Sequence, residues 1–171
     1  MKKFETLVLE KRAVISFIEF AVLTGIAFFA PLFRFQAITG SIVNAVLFVA
    51  AVLLGWRAGV LIGLIPSIIA LGVGTLPSAL APLVPCIILS NAILVVVFTV
   101  LKRRNYWLGI IFAAVLKFAF LWGVSSLIVG FILKGTAVQV AVIMGWPQLF
   151  TALAGGFIAY LFLSAVGRRN F

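Results

Sequence analysis

Long runs of apolar residues, separated by short basic or Gly- and Pro-rich connections, dominate this sequence. A helix that crosses about 30 Å of hydrocarbon at about 1.5 Å per residue needs about 20 apolar residues. Six runs meet or approach that length, and they predict spans at about 13–33, 38–54, 58–73, 84–101, 106–133 and 140–166. The pattern predicts an all-α membrane protein whose single transmembrane domain covers residues 1–171.

Two of these interpretations have alternatives. The runs at 38–54 and 58–73 are short and carry glycine and proline, so a re-entrant pair could replace two full spans. Arg57, in the sequence Gly-Trp-Arg-Ala-Gly, favours two spans because basic residues concentrate at the membrane interface. The first run could also be a signal peptide, but its length of about 20 residues exceeds the ~7–15 of a signal core and predicts a retained span.

The charges predict the orientation of the helices. The chain has 13 basic and 3 acidic residues, and 65% of its residues are apolar. With a cytoplasmic N-terminus and six spans, only Arg34 and Lys134 lie outside, which satisfies the positive-inside rule with both termini inside. The basic residues on the inside are Lys2, Lys3, Lys11, Arg12, Arg57, Lys102, Arg103, Arg104, Arg168 and Arg169. Because they lie in short clusters between apolar runs, we expect a membrane protein and no nucleic-acid partner.

The residue types that carry most enzyme chemistry are missing. The sequence has no His or Asp, and its only acids are Glu5, Glu10 and Glu19. We therefore expect no enzyme activity, no metal site and no cofactor. There is no Gly-Lys-Ser/Thr phosphate loop either, so any uphill transport must draw on an ion gradient or a partner protein.

Two charged residues, Glu19 and Lys117, fall within predicted spans at similar depths. Charges inside a membrane are costly and often functional. One interpretation is a buried Glu19–Lys117 ion pair; the other is that Lys117 binds an anionic group of a ligand.

Further polar and aromatic groups lie between the midplane and the outer face on the last three predicted helices, below the first loop. A mostly apolar pocket with a few convergent polar groups is typical of a small-molecule site. The alternative is that these groups form interhelical hydrogen bonds and an interfacial aromatic belt. The candidate substrate-binding residues are Gln36, Asn91, Lys117, Trp122, Ser125, Trp146 and Gln148.

Several segments together resemble one known family. They are the small-residue face Ala21–Gly25, the stretch Ile38–Ala45, the string Gly55, Gly59 and Gly63, the loop with Pro77, Pro82 and Pro85, the stretch Ser90–Val95, and the run Gly145–Ala152 with Gly155 and Gly156. With the basic N-terminus and six predicted spans, the chain resembles the S component of an energy-coupling factor (ECF) transporter over essentially its whole length.

The resemblance implies a substrate-binding subunit of a prokaryotic-type plasma membrane, which captures a vitamin or similar micronutrient from outside. A T component and two cytoplasmic ATPases would supply the energy, and Ala21 and Gly25 match the positions that contact the T component. Lys117 and the aromatic groups fit a small carboxylate with an apolar body, such as a lipoate- or pantothenate-like compound. The alternative function is a stand-alone secondary carrier or channel; a membrane-embedded enzyme or assembly factor is disfavoured by the missing residue types.

Overall fold

The computed structural model describes residues 2–131 and 144–168, without the side chains of residues 2–9, 79 and 128–131. These residues form helices and turns, and no strand occurs among them. The helices are α1 (Lys2–Phe29), α2 (Gln36–Leu53), α3 (Trp56–Gly72), α4 (Val84–Leu101), α5 (Tyr106–Phe131) and α6 (Trp146–Ala165), with 3-10 turns at Ala30–Phe33 and Ser78–Leu83.

Five of these helices, all except α3, are long and apolar enough to cross a membrane. This confirms the prediction of an all-helical chain that fits a multi-pass membrane protein. The helix α3 has 17 residues and contains Pro66. At about 1.5 Å per residue it is about 26 Å long, slightly shorter than a typical hydrocarbon core.

The observed helix limits lie close to the predicted ones, except at the N-terminus. There α1 begins at Lys2 and carries the basic residues that precede the predicted span. The parts of the predicted spans at 132–133 and 140–143, together with Lys134 and Arg169, lie outside the described residues.

Local backbone geometry explains the sharp connections between the helices. Gly55 has φ = 89°, a conformation that a glycine adopts without steric cost, and it directly precedes α3. Arg34 also has a positive φ, 55°, and ends the 3-10 turn after α1. At the start of α5 the Asn105 Oδ1 accepts hydrogen bonds from the backbone nitrogens of Trp107 and Leu108, which caps the first turn.

The centre of the bundle is α2, in which every residue from 43 to 51 is buried. It packs against α1, α3, α4 and α6. Glycine makes the closest approach possible: a Cβ added to Gly155 of α6 would lie 2.6 Å from Asn44 Cβ and 2.8 Å from the Ala45 nitrogen. Gly63 of α3 faces Asn91 of α4 in a similar way, with 3.2 Å between the added Cβ and Asn91 Cβ. The two contacts hold both asparagines close to the neighbouring helix.

The opposite ends of the bundle differ in charge. The first turn of α3 carries Arg57 and the α4–α5 connection carries Lys102, Arg103 and Arg104, whereas Arg34 lies in the α1–α2 connection. We call the two ends the basic end and the Arg34 end. Lys102 donates a hydrogen bond of 3.0 Å to the carbonyl of Ala51. Burial lowers the pKa of Lys102, and the charge of Arg103 lowers it further.

Candidate functional site

A buried lysine lies at the middle of the bundle. Lys117 is only 3% exposed, and its Nζ donates hydrogen bonds of 2.7 Å to Asn44 Oδ1 and 2.8 Å to Asn91 Oδ1. Three helices thus meet at one ammonium group: α2 and α4 supply the amides and α5 supplies the cation. Hydrogen bonds of this length to a charged donor are among the stronger ones in proteins.

Each of these residues lies near the middle of its helix, far from water at either end. Asn44 is the ninth of 18 residues in α2, Asn91 the eighth of 18 in α4, and Lys117 the twelfth of 26 in α5. The amides are held in turn by neighbours: Asn91 Nδ2 donates to the Gly63 carbonyl at 3.0 Å. Asn44 Nδ2 lies 3.5 Å from the Thr151 hydroxyl. Because each amide nitrogen has its own acceptor, each amide oxygen is turned toward the ammonium.

A cavity of about 90 Å³ lies directly against this lysine. The polar side chains that line it are Gln36, Thr39, Asn44, Ser67, Asn91, Lys117 and Gln148, and the remaining lining residues are Pro31, Gly40, Val43, Pro66, Ala70, Leu76 and Ile87. Polar side chains therefore make up half of the residues that line the cavity, and Lys117 is the single ionisable group among the described ones.

The cavity continues toward the Arg34 end of the bundle. A second cavity of about 210 Å³ is lined by Arg34 and Thr75 and by five residues that also line the first, namely Pro31, Gln36, Thr39, Ala70 and Leu76. Because they share these five residues, the two cavities adjoin each other and together form one path. Arg34 is exposed, so the path begins at the bundle surface with one cation and ends at the buried Lys117 with another.

Four of the seven predicted site residues meet at the first cavity: Gln36, Asn91, Lys117 and Gln148. This places them together and leaves their role in substrate binding as a prediction.

The other three predicted site residues are not among the residues that line the cavity. Trp122 is 61% exposed, Trp146 is 64% exposed and stacks on Phe118 with 5.0 Å between the ring centroids, and Ser125 donates to the Trp122 carbonyl of its own helix.

Helix geometry explains why the tryptophans lie elsewhere. At about 100° per residue, Trp122 is about 140° around α5 from Lys117, and Trp146 is about 160° around α6 from Gln148. Both indoles therefore lie on the outer surface, and the expected aromatic lining is replaced by aliphatic residues such as Val43 and Ile87.

Asn44 is the most important residue that the sequence prediction missed. It contacts Lys117 directly, yet it was noted only as part of the stretch Ile38–Ala45. The sequence contains a feature that could have identified it. Asn44 is the only polar residue among the buried residues of α2, all of whose other members are apolar. An amide at that depth needs a partner, and Lys117 is a partner that needs acceptors.

Lys117 is not paired with Glu19. Within the described part of the chain, the hydrogen bonds of the Lys117 ammonium go to the two asparagines, and no ion pair joins it to an acid. The two helices are not close neighbours, since α1 packs mainly against α2 and α3 whereas α5 packs mainly against α4 and α6. Equal depth in the membrane was therefore not enough to bring the two charges together.

The small-residue face of α1 is left open at the two predicted partner-contact positions. Ala21 is exposed, and nothing lies within 4 Å of a Cβ added to Gly25. Leu23, Ala27 and Ala30 on the same helix are buried, so a different face of α1 packs into this chain.

The described residues contain no group of three or more His, Cys, Asp or Glu side chains that could hold a metal ion. Comparison of the chain with protein-family models, with curated proteins and with solved structures finds no match.

Proposed function

We propose that this chain is the substrate-binding subunit of an energy-coupled importer of the ECF S-component type, which captures a small solute such as a vitamin. The observation that supports this most is that the path from the Arg34 end stops at a buried ammonium bonded to two neutral amides. A membrane protein keeps an unneutralised charge at this depth only at considerable cost, and such charges usually serve a function.

In this proposal the chain crosses the plasma membrane six times, with α3 as one span and both termini in the cytoplasm. The Arg34 end then faces outward and the basic end faces the cytoplasm, as the positive-inside rule requires. The solute enters past Arg34 and rests against Lys117, Asn91, Gln36 and Gln148, which line the first cavity. The exposed Ala21 and the half-buried Gly25, which has open space around its Cβ position, give a T component a surface on which to dock. Two ATPases bound to that component supply the work.

A stand-alone secondary carrier is the competing function, and the arrangement of charges argues against it. A proton-coupled carrier needs an acid that can exchange protons near the substrate. Glu19 is the only acid in the described helices beyond the N-terminal turns of α1, and it is not among the residues that line either cavity on the path.

The direct test is to purify the full chain from its host without added ligand and identify co-purified small molecules by mass spectrometry. We expect one solute in stoichiometric amount, and an ATPase pair with a second membrane protein when mild detergent is used. A matched pair of variants locates the site: Lys117→Met should lose the solute, whereas Lys102→Met, at the basic end, should retain it. Uptake by the chain alone in liposomes, driven by an ion gradient without ATPases, would instead establish the secondary carrier.

A further inference from the structure

The Lys117 ammonium has one donor left. An ammonium group carries three N–H bonds, and two of them are directed to Asn44 Oδ1 and Asn91 Oδ1. Among the residues that the structure describes, no acceptor binds the third. Because Lys117 lines the first cavity, this remaining donor is available to a molecule that occupies the cavity.

Lys117 is the one ionisable side chain among the described residues that line the first cavity, and with its amine protonated the cavity carries a charge of +1. Every other described residue that lines the first cavity is neutral, including the amides of Gln36, Asn44, Asn91 and Gln148. A bound anion with one negative charge therefore makes the buried site neutral. A dianion would leave an unpaired negative charge in a medium of low dielectric constant, and a cation would add to the positive one; both are costly.

The rest of the cavity wall is mixed. Val43, Leu76 and Ile87, with Pro31 and Pro66, offer dispersion contacts to the apolar part of a solute. The neutral side chains of Gln36, Thr39, Ser67 and Gln148 line the same cavity and can form hydrogen bonds. At the mouth, Arg34 adds a second, exposed positive charge, which raises the local concentration of anions and speeds their entry.

We infer that the solute is a small organic monoanion, bound with its charged end on Lys117 and the rest of its body along the mixed aliphatic and neutral polar wall that leads toward Arg34. The inference rests on the proposed function, because it names the class of solute that the same cavity captures. It also gives the order of contacts: Arg34 meets the anion first, and Lys117 holds it.

Thermal unfolding of the purified chain in detergent, with three probes of equal length, tests this inference. The probes are hexanoate, hexanamide and hexylamine, which present an anionic, a neutral and a cationic end on the same apolar chain. We expect hexanoate to raise the unfolding midpoint with an apparent affinity at least about tenfold tighter than that of hexanamide, because a charged partner strengthens the hydrogen bond. Hexylamine should give no rise. Equal shifts from the three probes, or no shift from hexanoate, would overturn the inference.

A charge-reversal variant sharpens the result. Lys117→Glu reverses the charge at the end of the cavity, so this variant should respond to hexylamine and not to hexanoate. Lys102→Met is the control and should keep the wild-type order of probes. If Lys117→Glu does not fold, the wild-type comparison of the three probes decides the question alone.

The two proposals fail in different ways. A co-purified solute that is neutral or cationic refutes the monoanion and leaves the capture function standing. A clear preference for hexanoate without any co-purified solute or ATPase partner supports the monoanion site and refutes the importer subunit.

Discussion

Replacing Asn91 with leucine tests whether the buried lysine depends on its amide neighbours. The two side chains have the same number of heavy atoms and the same branching, so Asn91→Leu replaces the polar amide with two somewhat larger methyl groups at the same positions. It deletes the bond from the Lys117 ammonium to Asn91 Oδ1 at 2.8 Å and the bond from Asn91 Nδ2 to the Gly63 carbonyl at 3.0 Å. The buried cation then keeps only Asn44 as a partner.

A double-mutant cycle with Lys117→Met isolates the energy of the lysine–asparagine contact. In the Lys117→Met background, Asn91→Leu loses only the bond to Gly63, so the difference between the two backgrounds reports the contact itself. Hydrogen bonds to charged groups contribute roughly 1.5–3 kcal/mol. Polar contacts within membrane proteins measure lower, up to about 1.7 kcal/mol. We expect a coupling of about 1–2 kcal/mol, which covers the upper part of the membrane-protein values and the lower part of the values for charged groups.

The assay is reversible unfolding of the four proteins in mixed micelles, followed by circular dichroism or tryptophan fluorescence. Thr99→Val is the control in place of Asn91→Leu. Its hydroxyl bonds only to the Val95 carbonyl of its own helix, and it lies eight residues, or about 12 Å, from Asn91 along α4. Its effect should be additive with Lys117→Met. If the effects of Asn91→Leu and Lys117→Met on the free energy of unfolding also add to within about 0.5 kcal/mol, the lysine–asparagine contact is refuted.

Three further predictions address packing, topology and charge. Gly155→Ala should destabilise the protein by about 1–3 kcal/mol in the same unfolding assay, since its Cβ would meet backbone atoms of α2. Gly25→Ala should leave the stability unchanged, because open space surrounds the added Cβ. Equal destabilisation by the two variants would contradict the close approach of α6 to α2 at Gly155. In a background without the native cysteine, single cysteines at Arg57 and Val73 should be labelled from opposite sides of the membrane, and labelling from one side would exclude α3 as a span. Burial lowers the pKa of Lys102 below 10.5, so the unfolded chain binds more protons just below that pH. The free energy of unfolding of the wild type minus that of Lys102→Met should therefore rise as the pH approaches 10.5 and then level off. A difference that does not change with pH would contradict this.

The helices could be predicted from the sequence because length and hydropathy suffice to define them. The run that contains Asn44 is apolar over a membrane-sized length and forms α2. Lys102 directly follows the end of α4, as expected, whereas Arg57 lies in the first turn of α3. Asn91 and Lys117 are both predicted site residues within apolar runs, and they are in contact.

Neither the order of the helices around the bundle nor the direction in which each side chain points could be predicted, and the errors about the site follow from these two. Glu19 and Lys117 have similar predicted depths but lie on helices that are not close neighbours. Trp122 is predicted to line the same site as Lys117, yet it is on the far side of α5. Hydropathy gives the distance of a residue from the membrane surface, whereas contacts depend also on the direction in which it points.

The short helix α3 has a consequence for the surrounding lipid. If α3 crosses the bilayer, its length of about 26 Å falls about 4 Å short of a typical acyl-chain region. Trp56 and Arg57, which stack at the start of α3 with 5.4 Å between guanidinium and ring centroid, anchor that end among the headgroups. The bilayer beside α3 must then become thinner, so that the C-terminal end of α3 also reaches the headgroups. This thinning carries an elastic cost that grows with bilayer thickness. The protein should accordingly partition into the thinner of two coexisting lipid phases.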